Sequence, residues 1–170
     1  GNYGGVNGNT ADKAFDGSFS TFWETGRAND GEFVNHFTVT FSGDAQIDRI
    51  LYATRQDTYA GRGYPSLLTV SVSAEESGED FETVCRISSS FGGNKVLFDL
   101  GGTCSCRRIR LEFSEISSDL KFASAAEFIF LKPEESEVRA VRDAFSDYTW
   151  LTFTEEFREH AEEYIARAKE

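Results

Sequence analysis

Leu68-Thr69-Val70-Ser71-Val72-Ser73-Ala74 decides the fold class, because apolar residues at 68, 70, 72 and 74 alternate with hydroxyl residues at 69, 71 and 73. A strand turns successive side chains to opposite faces, so this alternation predicts a half-buried strand. Working outward, the same period recurs. Phe37, Val39 and Phe41 alternate with His36, Thr38 and Thr40, and Val96, Phe98 and Leu100 repeat the pattern, as do Ile109, Leu111 and Phe113. Ile50-Leu51-Tyr52 and Phe128-Ile129-Phe130 are denser apolar runs, as expected of strands covered on both faces. Gly92-Gly93-Asn94 and Gly101-Gly102-Thr103 read as turns between strands. No helical period interrupts the stretch from Val34 to Leu131, which predicts an all-β sandwich or jelly roll.

The period changes after Lys132-Pro133. Val138, Val141 and Phe145 stand at helical spacing, and Phe157, Ala161, Tyr164, Ile165 and Ala168 line one face of a second expected helix. Residues 133–170 carry 11 acidic and 5 basic side chains, a net of −6, half of the −12 of the whole chain. The expected organisation is therefore a sandwich over residues 1–132 and a short helical tail, or linker to a downstream domain, over 133–170. The tail is too small to fold around a core of its own.

Composition narrows the partners. A net charge of −12 is the wrong sign for neutralising phosphates, so nucleic acid and anionic membrane surfaces are disfavoured. Arg107, Arg108 and Arg110 cluster, but Arg108 and Arg110 alternate with Ile109 and Leu111 and so read as a solvated sheet face. No run of 18 apolar residues is present to span a membrane. The opening Gly1-Asn2-Tyr3 carries no legible secretory leader and reads as the start of an excised fragment. Cys104-Ser105-Cys106 lacks the gap that lets two thiolates share a zinc, while Cys85 has the option of bridging to Cys104 or Cys106. Nor is there a catalytic constellation. His36 alternates along a strand, His160 lies in a polar helical stretch, and no carboxylate sits in a motif that argues for a raised pKa.

The segment from Thr10 to Trp23 contains Asp16-Gly17 followed by Ser18, Ser20 and Thr21. The residues leave two readings open: a polar turn ahead of a core Trp, or a cage of hard oxygens of the kind Ca²⁺ prefers.

Ala14-Phe15-Asp16-Gly17 with Thr21-Phe22-Trp23 resembles the opening motif of the coagulation factor type C (discoidin) domains, whose bacterial relatives are the family 32 carbohydrate-binding modules. The resemblance continues in order through Arg55-Gln56-Asp57, Gly78-Glu79-Asp80-Phe81, Cys106-Arg107-Arg108-Ile109-Arg110-Leu111 and Phe122-Ala123-Ser124-Ala125-Ala126-Glu127-Phe128. It implies a discoidin-like jelly-roll β-sandwich, non-catalytic, from a secreted or bacterial cell-surface enzyme whose catalytic domain lies downstream. It also implies one structural Ca²⁺, held by the carboxylates of Asp16 and Glu127, by Thr21, and by carbonyls of Lys13, Ser18 and Ala126. The implied sugar site centres on Arg55, as a bidentate donor, and Phe122, as a stacking ring. Glu24, Arg27, Tyr59 and Arg62 surround it. Glu24 and Arg27 depart from the His and aromatic residue of galactose-binding members, and the expected ligand is a neutral hexose or N-acetylhexosamine. The alternative on the same fold is a protein-docking or adhesion module that uses the charges of Glu24, Arg27 and Arg62.

Overall fold

The computed structural model describes residues 8–30, 32–90, 93–117 and 121–132. Seven strands realise the alternation: β1 (Trp23–Glu24), β2 (His36–Ala53), β3 (Pro65–Ser73), β4 (Glu82–Ser88), β5 (Lys95–Ile116), β6 (Ser124–Ala125) and β7 (Glu127–Leu131), preceded by a 3₁₀ turn at Ala11–Ala14. β1 pairs with β6, and the other five strands run in the order β4-β3-β5-β2-β7, with every pairing antiparallel.

Two long strands carry the architecture. β2 and β5 pair along their lengths, but residues 41–44 stand opposite Arg107 alone and residues 100–103 opposite Asp48 alone. Extra residues on one strand bend it and sharpen the local twist, and here each strand bends once. The pair is thereby split into two segments whose inner faces line one core. Phe37, Leu68, Val70, Ile109, Leu111 and Phe113 come from one segment and its neighbours, Ile50, Tyr52, Phe98 and Phe128 from the other, and all belong to one buried cluster. Sandwiches make such corners by letting a strand pass between layers at a bulge. Trp23 plugs the core, its ring 3.9 Å from Phe37 and 5.7 Å from Phe113.

Several expectations are corrected. Gly101-Gly102-Thr103 is not a turn. These residues lie within β5, where Gly101 takes φ 76°, a left-handed conformation open to glycine, and pairing resumes at Cys104. The strands read around Phe37 and Ile50 are likewise one strand, β2. β3 is not half-buried, since Thr69, Ser71 and Ser73 on its polar face are covered as well as Leu68 and Val70.

Arg108 is not solvated. It is only 5% exposed, and its guanidinium donates to the carbonyls of Glu75, Ser77 and Gly78 and to Ser73 Oγ at 2.7–3.3 Å. The β3–β4 loop folds back over the outer face of β5, which the strand period alone does not reveal. Arg110 reaches the same loop through Glu79, and both guanidinia lie over the Phe81 ring, at 4.6 and 3.9 Å.

All three cysteines are free thiols, and burial pushes those of Cys85 and Cys106 up to about 11, so both are protonated at neutral pH. Among the described residues no helix is long and apolar enough to cross a membrane. The expected tail helices and His160 lie outside the described residues.

Candidate functional site

β1 straddles the core. Trp23 points in, so its neighbours Phe22 and Glu24 both point the other way, by the period of a strand. There they meet Arg55, which follows the buried end of β2. The Arg55 guanidinium lies 4.0 Å above the Phe22 ring, and its Nη1 donates to Glu24 Oε2. Its Nε and Nη2 donate in parallel to the two oxygens of Asp57, at 2.8 and 2.6 Å.

Three of the five donors of Arg55 are thus committed inside the protein, leaving one N–H on each terminal nitrogen. With the residue only 7% exposed, Arg55 organises the site as much as it faces solvent. Hydrogen bonding from Arg55 holds the Asp57 carboxyl below its usual range, and the paired acids keep Arg55 protonated despite its burial.

Asp57 also shapes the loop that follows. Its Oδ1 accepts from the Tyr59 N–H at 3.1 Å and its carbonyl from the Ala60 N–H at 3.1 Å. Tyr59 emerges 47% exposed, with its ring 5.6 Å from the Arg55 guanidinium carbon and 4.0 Å from that of Arg62. The order Phe22, Arg55, Tyr59, Arg62 is an alternation of rings and cations leading from the core edge to the surface.

Phe122 is brought to the same end by its flanks. Ser124 pairs with Glu24 across β1 and β6, its Oγ donates to the Arg62 carbonyl at 2.6 Å, and its carbonyl accepts from Tyr52 Oη at 2.7 Å. Thr25 and Ala123 exchange hydrogen bonds of 2.9 and 3.0 Å. Gly63 permits the closeness of the two loops: at φ +78°, a Cβ there would stand 2.5 Å from Ser124 N and 2.8 Å from the Phe122 carbonyl. Phe122 itself is half-buried.

Arg27 is committed elsewhere. It pairs with Asp30 at 2.9 Å and lies over the Phe33 ring at 4.2 Å, on the neighbouring loop.

Of the residues expected around the sugar, the structure therefore gathers Glu24, Arg55, Tyr59 and Arg62 and sets the Phe122 loop beside them. Sequence reasoning left out Phe22, Asp57 and Gly63 as site residues. The spacing of Phe22 and Glu24 about Trp23, and of Arg55 and Asp57, carried the signal.

The second cluster lies in the opening loop. Thr21 Oγ1 donates to both Asp16 oxygens, at 3.0 and 2.8 Å, and approaches the Ser18 carbonyl at 3.3 Å. Glu127, only 5% exposed, accepts from the Gly17 N–H at 3.0 Å. Burial first, and then the nearby Asp16 charge, push the Glu127 carboxyl above its usual range. Lys13 Nζ stands 3.7 Å from Asp16. Ala126 anchors β7 through its N–H to the Ala53 carbonyl at 2.8 Å.

Two carboxylates and neutral oxygens converging on one turn fit a hard cation. Among the described residues no group of three or more His, Cys, Asp or Glu side chains is positioned for a metal, so further ligands would be hydroxyl or carbonyl oxygens.

With the fold and both clusters in place, comparison with known proteins is decisive on family. The F5/8 type C domain model matches residues 2–128. The chain belongs to that family. This F5/8 type C domain is also similar to solved structures of Clostridium perfringens ZmpB. One holds its CBM32-1, CBM32-2 and M60 catalytic domains, at 33% identity and a TM-score of 0.72 over 92% of this chain and 16% of that one. Another holds CBM32-1 and CBM32-2 in complex with GalNAc, at 29% identity and a TM-score of 0.73 over 98% of this chain and 42% of that one. The family 32 module of C. perfringens NanJ, in complex with galactose, matches 76% of this chain and 90% of its own at a TM-score of 0.62, and at 15% identity carries the fold alone. No curated protein matches the chain.

Proposed function

We propose that this F5/8 type C domain is a non-catalytic carbohydrate-binding module whose sugar sits on the loops at residues 54–64 and 122–124. The observation that carries the reading is an exposed aromatic beside a fixed guanidinium, Tyr59 next to Arg55. Sugars present an apolar C–H face to rings and hydroxyl edges to planar polar groups. Tyr59 and Phe122 supply the rings. The two free N–H groups of Arg55 and the outer lone pairs of Glu24 and Asp57 supply the polar edge. GalNAc in the ZmpB modules supports a hexose or N-acetylhexosamine as ligand. The docking alternative loses much of its charged surface, since Glu24 and Arg27 are paired within the domain.

The same reading places Ca²⁺ in the opening loop, held by Asp16, Glu127 and Thr21 with carbonyls of Lys13, Ser18 and Ala126. When bound, the ion neutralises the two carboxylates and ties the opening loop to β7, a structural role. The module would direct a larger secreted or cell-surface enzyme, with its catalytic domain downstream, to glycans. Calorimetric titration with GalNAc and galactose tests the sugar site. The expected dissociation constant is about millimolar, since an open site offers one stacking platform and few hydroxyl contacts. Phe122→Ala and Tyr59→Ala each remove measurable binding while circular dichroism stays native. Unchanged affinity in both variants contradicts the placement.

A further inference from the structure

The charges around the site do not distribute as the sequence suggested. Glu24 and Asp57 are both spent on Arg55, and Arg27 is spent on Asp30. Arg49, Arg107 and Arg110 each have an acidic partner too, and Arg108 has backbone carbonyls. Among the described arginines, Arg62 and Arg86 have neither, and Arg86 stands on the edge strand β4, outside these loops. Arg62 keeps an exposed guanidinium whose contact among the described residues is the Tyr59 ring, while its backbone is fixed by Tyr59 and Ser124.

Beside the proposed sugar platform, an exposed arginine with no acidic partner among the described residues has its guanidinium available to an acidic group from outside. A guanidinium fork matches the paired oxygens of a carboxylate or a sulfate. Its hold on an exposed ring is weak enough to be exchanged for them.

We propose that the site recognises a glycan carrying an anionic group, a carboxylate or a sulfate ester, next to the stacked sugar, and that Arg62 is the specificity-determining residue. This rests on the sugar-site reading and reverses the expectation of a strictly neutral ligand. Glu24 and Asp57 share the single positive charge of Arg55, so that cluster keeps one net negative charge, and the hold on an anionic group falls to Arg62.

The test is a calorimetric titration of the protein with a matched trio: a galactosyl disaccharide, its sulfated form, and its sialylated form. At low salt at least one anionic form binds about fivefold tighter than the neutral one, the scale of a solvent-exposed charge pair. Whichever form shows the preference identifies the anion. In Arg62→Gln the ratio of anionic to neutral affinity falls to about one, and Arg62→Lys restores part of it, as a point charge without the fork does. Equal affinity for all three in the native protein overturns the proposal and leaves the sugar site standing. Absence of binding to all three overturns the sugar site and the proposal together.

Discussion

Arg108 and Arg55 are both buried arginines, the first covered by the β3–β4 loop and the second enclosed by Phe22, Glu24 and Asp57. Their partners differ. Among the described residues Arg108 meets mainly carbonyls and no carboxylate, so its worth lies in fixing the backbone of residues 75–78. Arg108→Lys keeps the charge but cannot reach three carbonyls at once. It should cost about 2 kcal/mol in urea unfolding, the scale of leaving buried acceptors unpaired. A change within about 0.5 kcal/mol contradicts this. Arg55 meets two carboxylates, and the cluster shows why single residues were hard to read beforehand. Its position after β2 was legible from the Arg-Gln-Asp triplet, but its commitment to Glu24 depends on a pairing with β1 across 31 residues. Asp57, with its carboxyl depressed by Arg55, stays ionised below the usual Asp range. The clamp is therefore present at neutral pH and is lost only as pH falls through that depressed value. Sugar binding should persist unchanged from pH 7 to about pH 5, above the ordinary Asp pKa. Loss of affinity by pH 5, in titrations on still-folded protein, contradicts the clamp.

Among the elements, the opening loop and β7 depend on each other through Glu127. Its carboxyl is raised by burial and by Asp16, so folding favours its protonated form when no cation is bound. The stability it contributes is present below the ordinary Glu range and is lost as pH rises through the raised value. Above that raised value the metal-free domain bears the cost of a buried charge, and a bound cation removes it. Glu127→Gln should therefore raise Tm in chelator and lower it in millimolar Ca²⁺ relative to the native protein, so that Ca²⁺ no longer shifts the curve. A native protein whose Tm is the same in both conditions contradicts the cation site. Strand existence was legible from the period of two, as at Leu68–Ser73 and Ile109–Phe113. Strand continuity was not, because Gly101-Gly102-Thr103 has the composition of a turn and yet forms a bulge opposite Asp48, with pairing to β2 resuming at Cys104.

For the whole molecule, the jelly-roll class followed from alternation plus five motifs in order, whereas the reach of residues 133–170 follows from neither. Truncation after Lys132 should cost less than about 2 kcal/mol in urea unfolding, if the acidic segment serves as a connector. A larger loss would show that it packs on the sandwich. What made the proposed sugar-binding end only partly legible is physical: three segments distant in sequence, 22–24, 54–64 and 122–124, build it, and the sharing of Arg55 between Glu24 and Asp57 is not revealed by spacing. The most direct test of the central claim is a ¹H–¹⁵N NMR titration of the intact protein with GalNAc. The account predicts saturable shifts concentrated at Glu24, at residues 55–63 and at 122–124, with the β3–β4 loop at the other end of the sandwich unmoved. Shifts confined to that far loop, or none at tens of millimolar sugar, where a site of about millimolar affinity would be saturated, would contradict it.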